Sequence, residues 1–85
     1  MKINFEQLRV YNDIAKTREL VVNVKVQVAD SIYQSGIGIA AHALALKIYN
    51  STGDCELTDD EYQLLISFAE RHFIPMVIDA LKGNN

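Results

Sequence analysis

Cysteine is nearly missing from this chain: Cys55 is the only one in 85 residues. A single thiol excludes an internal disulfide. Its only possible soft-metal companions, His42 and His72, stand far from it and from each other, so no zinc-ligand set can be read. Proline occurs once, at Pro75, and glycine four times, which leaves little room for long loops. The longest low-charge stretch, residues 35–46 (SGIGIAAHALAL), is too short to span a bilayer. The opening MKINFEQL lacks the apolar core of a signal peptide. A cytoplasmic location with a reduced cysteine is therefore expected, with no membrane partner.

Catalytic signatures are missing as well. There is no Walker loop, and Gly36-Ile37-Gly38 is too little for a dinucleotide fingerprint. Serine, histidine and acidic residues occur, but no spacing ties them into a nucleophilic arrangement. The expectation is a non-enzymatic protein with no cofactor and no metal. Basic charge is scarce too, with 8 Lys and Arg against 11 Asp and Glu. Residues 1–42 carry five basic and four acidic side chains; residues 43–85 carry three and seven. Without a dense basic stripe, duplex DNA is a poor partner.

What is present is apolar material. Hydrophobic residues make up 49% of the chain, enough for one globular domain over residues 1–85. A domain this small commonly needs a disulfide, a metal or association. With the first two excluded, a homo-oligomer is expected.

Residues 3–16 read as a first, short helix, with Phe5, Leu8, Tyr11 and Ala15 near one face. A closing helix starts at the capping box Thr58-Asp59-Asp60-Glu61, with Leu57 and Tyr62 placed as a hydrophobic staple and Gly83 as its stop. Pro75 lies within it and predicts a kink or a break. Tyr62, Leu65, Ile66, Ala69 and Phe73 share one face, while Phe68 and Ile78 lie largely on the other, a surplus face for a partner.

The stretch between is ambiguous. In ELVVNVKVQVADS, residues 19–31, Val22, Val24, Val26 and Val28 alternate with polar residues as in a half-buried strand. At 100° per residue the same region gives two helical stripes, one of them holding Val24, Val28 and Ile39. Helix propensity disfavours each valine by roughly 0.5 kcal/mol. Burying its side chain returns about 1.5 kcal/mol or more. Packing thus favours a long helix from about residue 18 to 50, with Ser31 and Gln34 as a further capping box. The expected fold is all-α: a short N-terminal helix plus a long two-helix hairpin, associating as an oligomeric bundle with Val24, Val28, Ile39, Phe68 and Ile78 at the interface. The alternative is a strand over residues 20–28 that pairs with a second copy, a ribbon followed by helices. That order resembles a ribbon-helix-helix repressor, although its base-reading face offers only Asn23, Lys25 and Gln27.

For function, one constellation stands out. Arg9, Tyr11, Lys16, Arg18 and Lys25 gather most of the basic side chains around an aromatic ring. A ring can stack a base while Lys or Arg meets phosphate. The plainer reading is a solvated basic patch with a core tyrosine. His42 and His72 read as core or interface histidines. Asp59, Asp60 and Glu61 read as capping residues rather than metal ligands, and Cys55 as an ordinary thiol.

The order of a short N-terminal helix, a tyrosine, a lysine on the next helix and a closing helix rich in Ala and Val resembles the phage nucleotide sponges that counter CBASS and Thoeris immunity. In FAERHFIPMVIDAL, Ala69, His72, Val77 and Ala80 stand where such proteins carry similar residues. The resemblance covers about half of the chain. It implies a helical-hairpin oligomer that sequesters cyclic oligonucleotide signals, with Tyr11 stacking and Lys25 on phosphate, and with Arg9 and Arg18 nearby. Pro75 departs from that pattern, as does a longer span between the second and third helices. The other expectation is an inhibitor or regulator that antagonises a host or phage protein through an apolar helix face.

Overall fold

Strands appear where the sequence reads most readily as helix. The computed structural model describes residues 1–83, and among these the chain is α+β rather than all-α. In chain order come β1 (Lys2–Asn4), β2 (Leu8–Tyr11), β3 (Glu19–Val22), α1 (Lys25–Ser35), α2 (Ile39–Tyr49), β4 (Asp54–Glu56), α3 (Asp59–His72) and α4 (Pro75–Leu81). Two small antiparallel sheets result, β1 with β4 and β2 with β3.

The expected helix over 3–16 is instead a strand, a turn and a second strand. Phe5, Leu8 and Tyr11 have a spacing that suits a helix, but Leu8 and Val10 are buried while Arg9 and Tyr11 turn outward, the alternation of a half-buried strand. The Asn4 side-chain oxygen accepts the amides of Glu6 and Gln7, both at 3.1 Å. That local bond competes with helix and turns the chain after β1. β2 then pairs with β3, Leu8 opposite Val22 and Tyr11 opposite Glu19. The connecting loop closes on Asp13, whose carboxylate accepts the amides of Thr17 and Arg18 and the Thr17 hydroxyl.

The expected helix over 18–50 divides three ways. Its first part is β3, which finds its mate in β2 of the same chain, so the strand needs no second copy as the ribbon alternative required. The alternating valines change role at Asn23. The Val24 amide donates to the Phe5 carbonyl at 2.8 Å, and the Asn23 side chain accepts from the Lys25 amide at 3.2 Å. From Lys25 the chain is helical, so Ser31 and Gln34 lie inside α1 and do not cap its start. The second division is at Gly36-Ile37-Gly38. Gly38 has φ 94°, a left-handed value that favours glycine, and its backbone ends the continuity between α1 and α2. The two helices pack on each other as a helical hairpin.

The closing segment follows its sequence signals. The Thr58 hydroxyl accepts the Glu61 amide at 3.2 Å and the Glu61 carboxylate accepts the Thr58 amide at 2.8 Å, a reciprocal capping box. Pro75 produces a break: α3 ends at His72, and Pro75 opens α4 at a position where its missing N–H costs nothing. Gly83, at φ 73°, follows the last turn.

One core holds the elements together, with Phe5, Val10, Ile48, Leu65 and Ala69 fully buried in it. The second faces expected to need another protomer are covered in part: β2 packs against α4, while Val26, Tyr33, Ile37, Ile39, Leu46 and Tyr49 of the α1–α2 hairpin stay exposed. Two carboxylates tie the elements from outside. Glu6 accepts the Gly53 amide at 2.7 Å and the Lys25 ammonium at 3.4 Å, joining the β1–β2 turn to the start of α1 and to the turn before β4. Glu61 also receives Lys47 at 2.7 Å, fixing the end of α2 to the cap of α3.

These bonds have a pH signature. The Gly53 amide, then Lys25, holds the Glu6 carboxyl below the ordinary glutamate value; Lys47, then the Thr58 amide, does the same for Glu61. A carboxylate with a lowered folded-state pKa contributes stability above its unfolded pKa and loses it as pH falls through the folded value. The thermal midpoint should therefore hold from neutrality down to about pH 4.5 and fall below it. Glu6→Gln should lower the midpoint at pH 7 and make the acid decline shallower. Parallel acid profiles for the two proteins, followed by circular dichroism, would count against a role for Glu6.

Candidate functional site

Four members of the basic–aromatic constellation, Arg9, Tyr11, Lys16 and Arg18, lie on the β2–β3 hairpin, and Lys25 stands apart from them on α1. Arg9 and Tyr11 lie on the outward face of β2, and the Arg9 guanidinium stands 3.6 Å from the Glu19 carboxylate on β3. Arg18 belongs to the loop before β3, where its carbonyl accepts the Asn12 amide at 3.1 Å. Lys25 opens α1, and its ammonium is occupied by Glu6 and by the Ser51 carbonyl at 3.2 Å. Tyr11 lines a hollow of about 240 Å³ together with Lys16, but Asp13 and Asp79 line it too. Two carboxylates in the wall disfavour a phosphate there.

The residues expected at an interface also divide. Val28, 2% exposed, and Phe68, 8% exposed, are core residues of the chain itself. Val24 and Ile78 are partly buried against that core. Ile39 remains on the surface beside the α1–α2 turn, where Ile37 is exposed as well. His72 stacks on Phe68 with ring centroids 4.2 Å apart, an aromatic role at the core margin. Burial pushes the Cys55 thiol above its ordinary pKa, which suits the inert thiol expected at that position.

A different surface emerges along the helical hairpin. Val26, Asp30 and Tyr33 project from α1 at i, i+4 and i+7, and His42, Leu46 and Tyr49 project from α2 at the same spacing. Between them runs a groove of about 190 Å³ lined by Ala29, Asp30, Tyr33, Ala45, Leu46 and Tyr49. Ala29 and Ala45 are buried and small, which makes the floor low. Tyr33 (61% exposed), Leu46 (43%) and Tyr49 (52%) form its walls. The His42 ring packs 5.6 Å from the Tyr33 ring at one end.

This surface is almost without charge. Lys25, Asp30 and Lys47 are the only ionic side chains in the two helices, and both lysines are paired, with Glu6 and Glu61. Sequence reasoning missed the groove because it treated residues 18–50 as one rod. On a continuous helix Tyr33 and Leu46 fall on different stripes. Once the chain folds back at Gly36–Gly38, the repeated i, i+4, i+7 triads come to lie side by side.

No family model matches the chain, and no curated protein or solved structure matches it. No helix among the described residues is long and apolar enough to cross a membrane.

Proposed function

We propose that this chain is a non-enzymatic binding protein that engages a protein partner through the outer face of the α1–α2 hairpin. The observation that supports this reading is the set of exposed Tyr33, Leu46 and Tyr49 around a groove with an alanine floor, with exposed Val26 one turn before Asp30 on α1. Large apolar and aromatic side chains clustered on a small domain cost solubility and gain nothing for the fold, so such a patch marks an interaction surface. Tyrosines at its rim match the composition of binding hot spots, where a ring supplies area and its hydroxyl stays wet. The role is that of an inhibitor or regulator acting by contact.

Sequestration of a cyclic oligonucleotide places heavier demands on the same structure. Lys25 would have to leave Glu6 and Ser51 before it could meet a phosphate. The hairpin face needs no such rearrangement.

A photo-crosslinker placed at residue 46, and for comparison at the exposed Gln63 on α3, tests the reading in cells that make the protein. Discrete adducts to another protein are expected from residue 46 only, and Tyr33→Ser should abolish them while leaving the thermal midpoint within a few degrees. Equal adducts from both positions, or adducts indifferent to Tyr33→Ser, would show that the face is not the binding surface. Calorimetric titration with cyclic di- and trinucleotides should give no heat; a stoichiometric signal lost in Tyr11→Ala would favour the nucleotide reading instead.

A further inference from the structure

The groove carries one unpaired charge, and that charge specifies its occupant. Asp30 lines the groove from α1, between the levels of Val26 and Tyr33, and is exposed. It makes no ion pair or hydrogen bond among the described residues, whereas both other ionic side chains of the hairpin are neutralised within the chain. A carboxylate covered by an apolar partner would lose its water and gain nothing, which is a heavy penalty. A second copy docked symmetrically on the same face would bring its own Asp30 into the same drying interface, adding a second carboxylate and no cation. The surrounding walls favour a cation: tyrosine faces attract guanidinium and ammonium groups, and a carboxylate accepts a guanidinium through two parallel hydrogen bonds.

The shape narrows the choice further. Each helix of the hairpin has 11 residues, about 16 Å at 1.5 Å per residue. The valley between two adjacent helices of that length receives roughly three turns of a third helix packed ridge into groove. Resting on the reading of this face as the binding surface, we propose that its partner is an amphipathic helix of another protein, seated in the α1–α2 groove, whose apolar side chains meet Leu46 and the tyrosines and whose single arginine or lysine pairs with Asp30. The apolar contacts supply affinity, and the ion pair sets register and excludes acidic or symmetric partners.

A display library of randomised 20-residue amphipathic helices, selected on the folded protein, tests this. Binders are kept when Tyr33→Ser and Leu46→Gln together abolish binding, which assigns them to the face. These binders are expected to share one Arg or Lys at a fixed place in the apolar repeat. Asp30→Asn should weaken each by at least about tenfold. Asp30→Lys should prefer the same peptides with Glu at that place. Asp30 is exposed, so both variants should keep the parent's thermal midpoint, checked by circular dichroism. Face-dependent binders with no shared cation, or binders indifferent to Asp30→Lys, would overturn the cationic anchor while leaving the face reading intact. A selection yielding no face-dependent binder would overturn both. So would a concentration-dependent dimer by light scattering that Leu46→Gln dissolves, because the occupant would then be a second copy.

Discussion

Phe5→Ala is expected to lower the unfolding free energy by about 3–5 kcal/mol, the largest effect of any single substitution considered. Phe5 is fully buried at the point where the chain leaves β1 and prepares to enter β2. Its ring is among the largest buried side chains, and its removal leaves a void that the short strands around it cannot close. Its carbonyl also accepts the Val24 amide at 2.8 Å, so a shifted Phe5 backbone disturbs the entry to α1. Small domains have about 5–15 kcal/mol in total. At about 4–8 °C per kcal/mol for this chain length, the melting point should drop steeply enough to leave the variant partly unfolded at ordinary temperatures. Urea unfolding followed by circular dichroism measures the loss. Ile14→Ala, at a fully solvated loop position, serves as the control and should shift stability by less than about 0.5 kcal/mol. A Phe5→Ala loss no larger than the control's would mean that the core is not centred on this ring.

Gly36→Ala should be destabilising by about 1–3 kcal/mol, opposite in sign to the ordinary effect of that exchange. Replacing glycine by alanine at a compatible position usually stabilises by about 0.4–1 kcal/mol, through the unfolded chain. Here φ is −73°, which alanine adopts freely, so the backbone angle is not the obstacle. Space is the obstacle. A Cβ at residue 36 would come within 2.5 Å of the Ile32 carbonyl oxygen and 2.8 Å of the Ala41 Cβ. The first contact lies within α1, whose last turn would have to deform, and the second is a buried residue of α2, from which α1 would have to move away. Ala41→Gly in the same chain removes only the second clash and should recover only part of the loss. Full recovery would assign the whole cost to Ala41, and an unchanged or raised stability for Gly36→Ala alone would show that the helices do not approach so closely. Because the groove walls stand on these two helices, the variant should also weaken any face-dependent helix binder.

The parts of the fold legible in the sequence were those written in local chemistry. Thr58 and Glu61 announce a helix start through two reciprocal hydrogen bonds that need no distant partner. Pro75 announces a break because its ring and missing amide act on the preceding turn, and Gly83 supplies the left-handed residue after the last turn. The strands were not legible, because each is three or four residues long. At that length period two and period 3.6 both fit: Leu8 and Val10 face inward as a strand, while Phe5, Leu8 and Tyr11 fit a helix as well. Only tertiary pairing decides, as when Glu19–Val22 finds Leu8–Tyr11. The partners of Lys25 were not legible for a related reason. Its charge was visible, but Glu6 and Ser51, which take up that charge, lie far from it in sequence. Asp30 carries no local signal in the sequence, and its isolation is visible only once the two lysines of the hairpin have found their partners.

The β1–β4 pairing sets an order of events during synthesis. Ile3 lies opposite Cys55 in that sheet, and both side chains are buried. On the ribosome β1 is made before its mate, which emerges only after the β2–β3 hairpin and both helices of α1–α2 are complete. Those middle elements have local partners and can assemble while synthesis proceeds. Until then Ile3 lacks the sheet partner that it has in the folded chain. The chain therefore has an interval in which β1 lacks its strand mate, and the arrival of Asp54–Glu56 ends it.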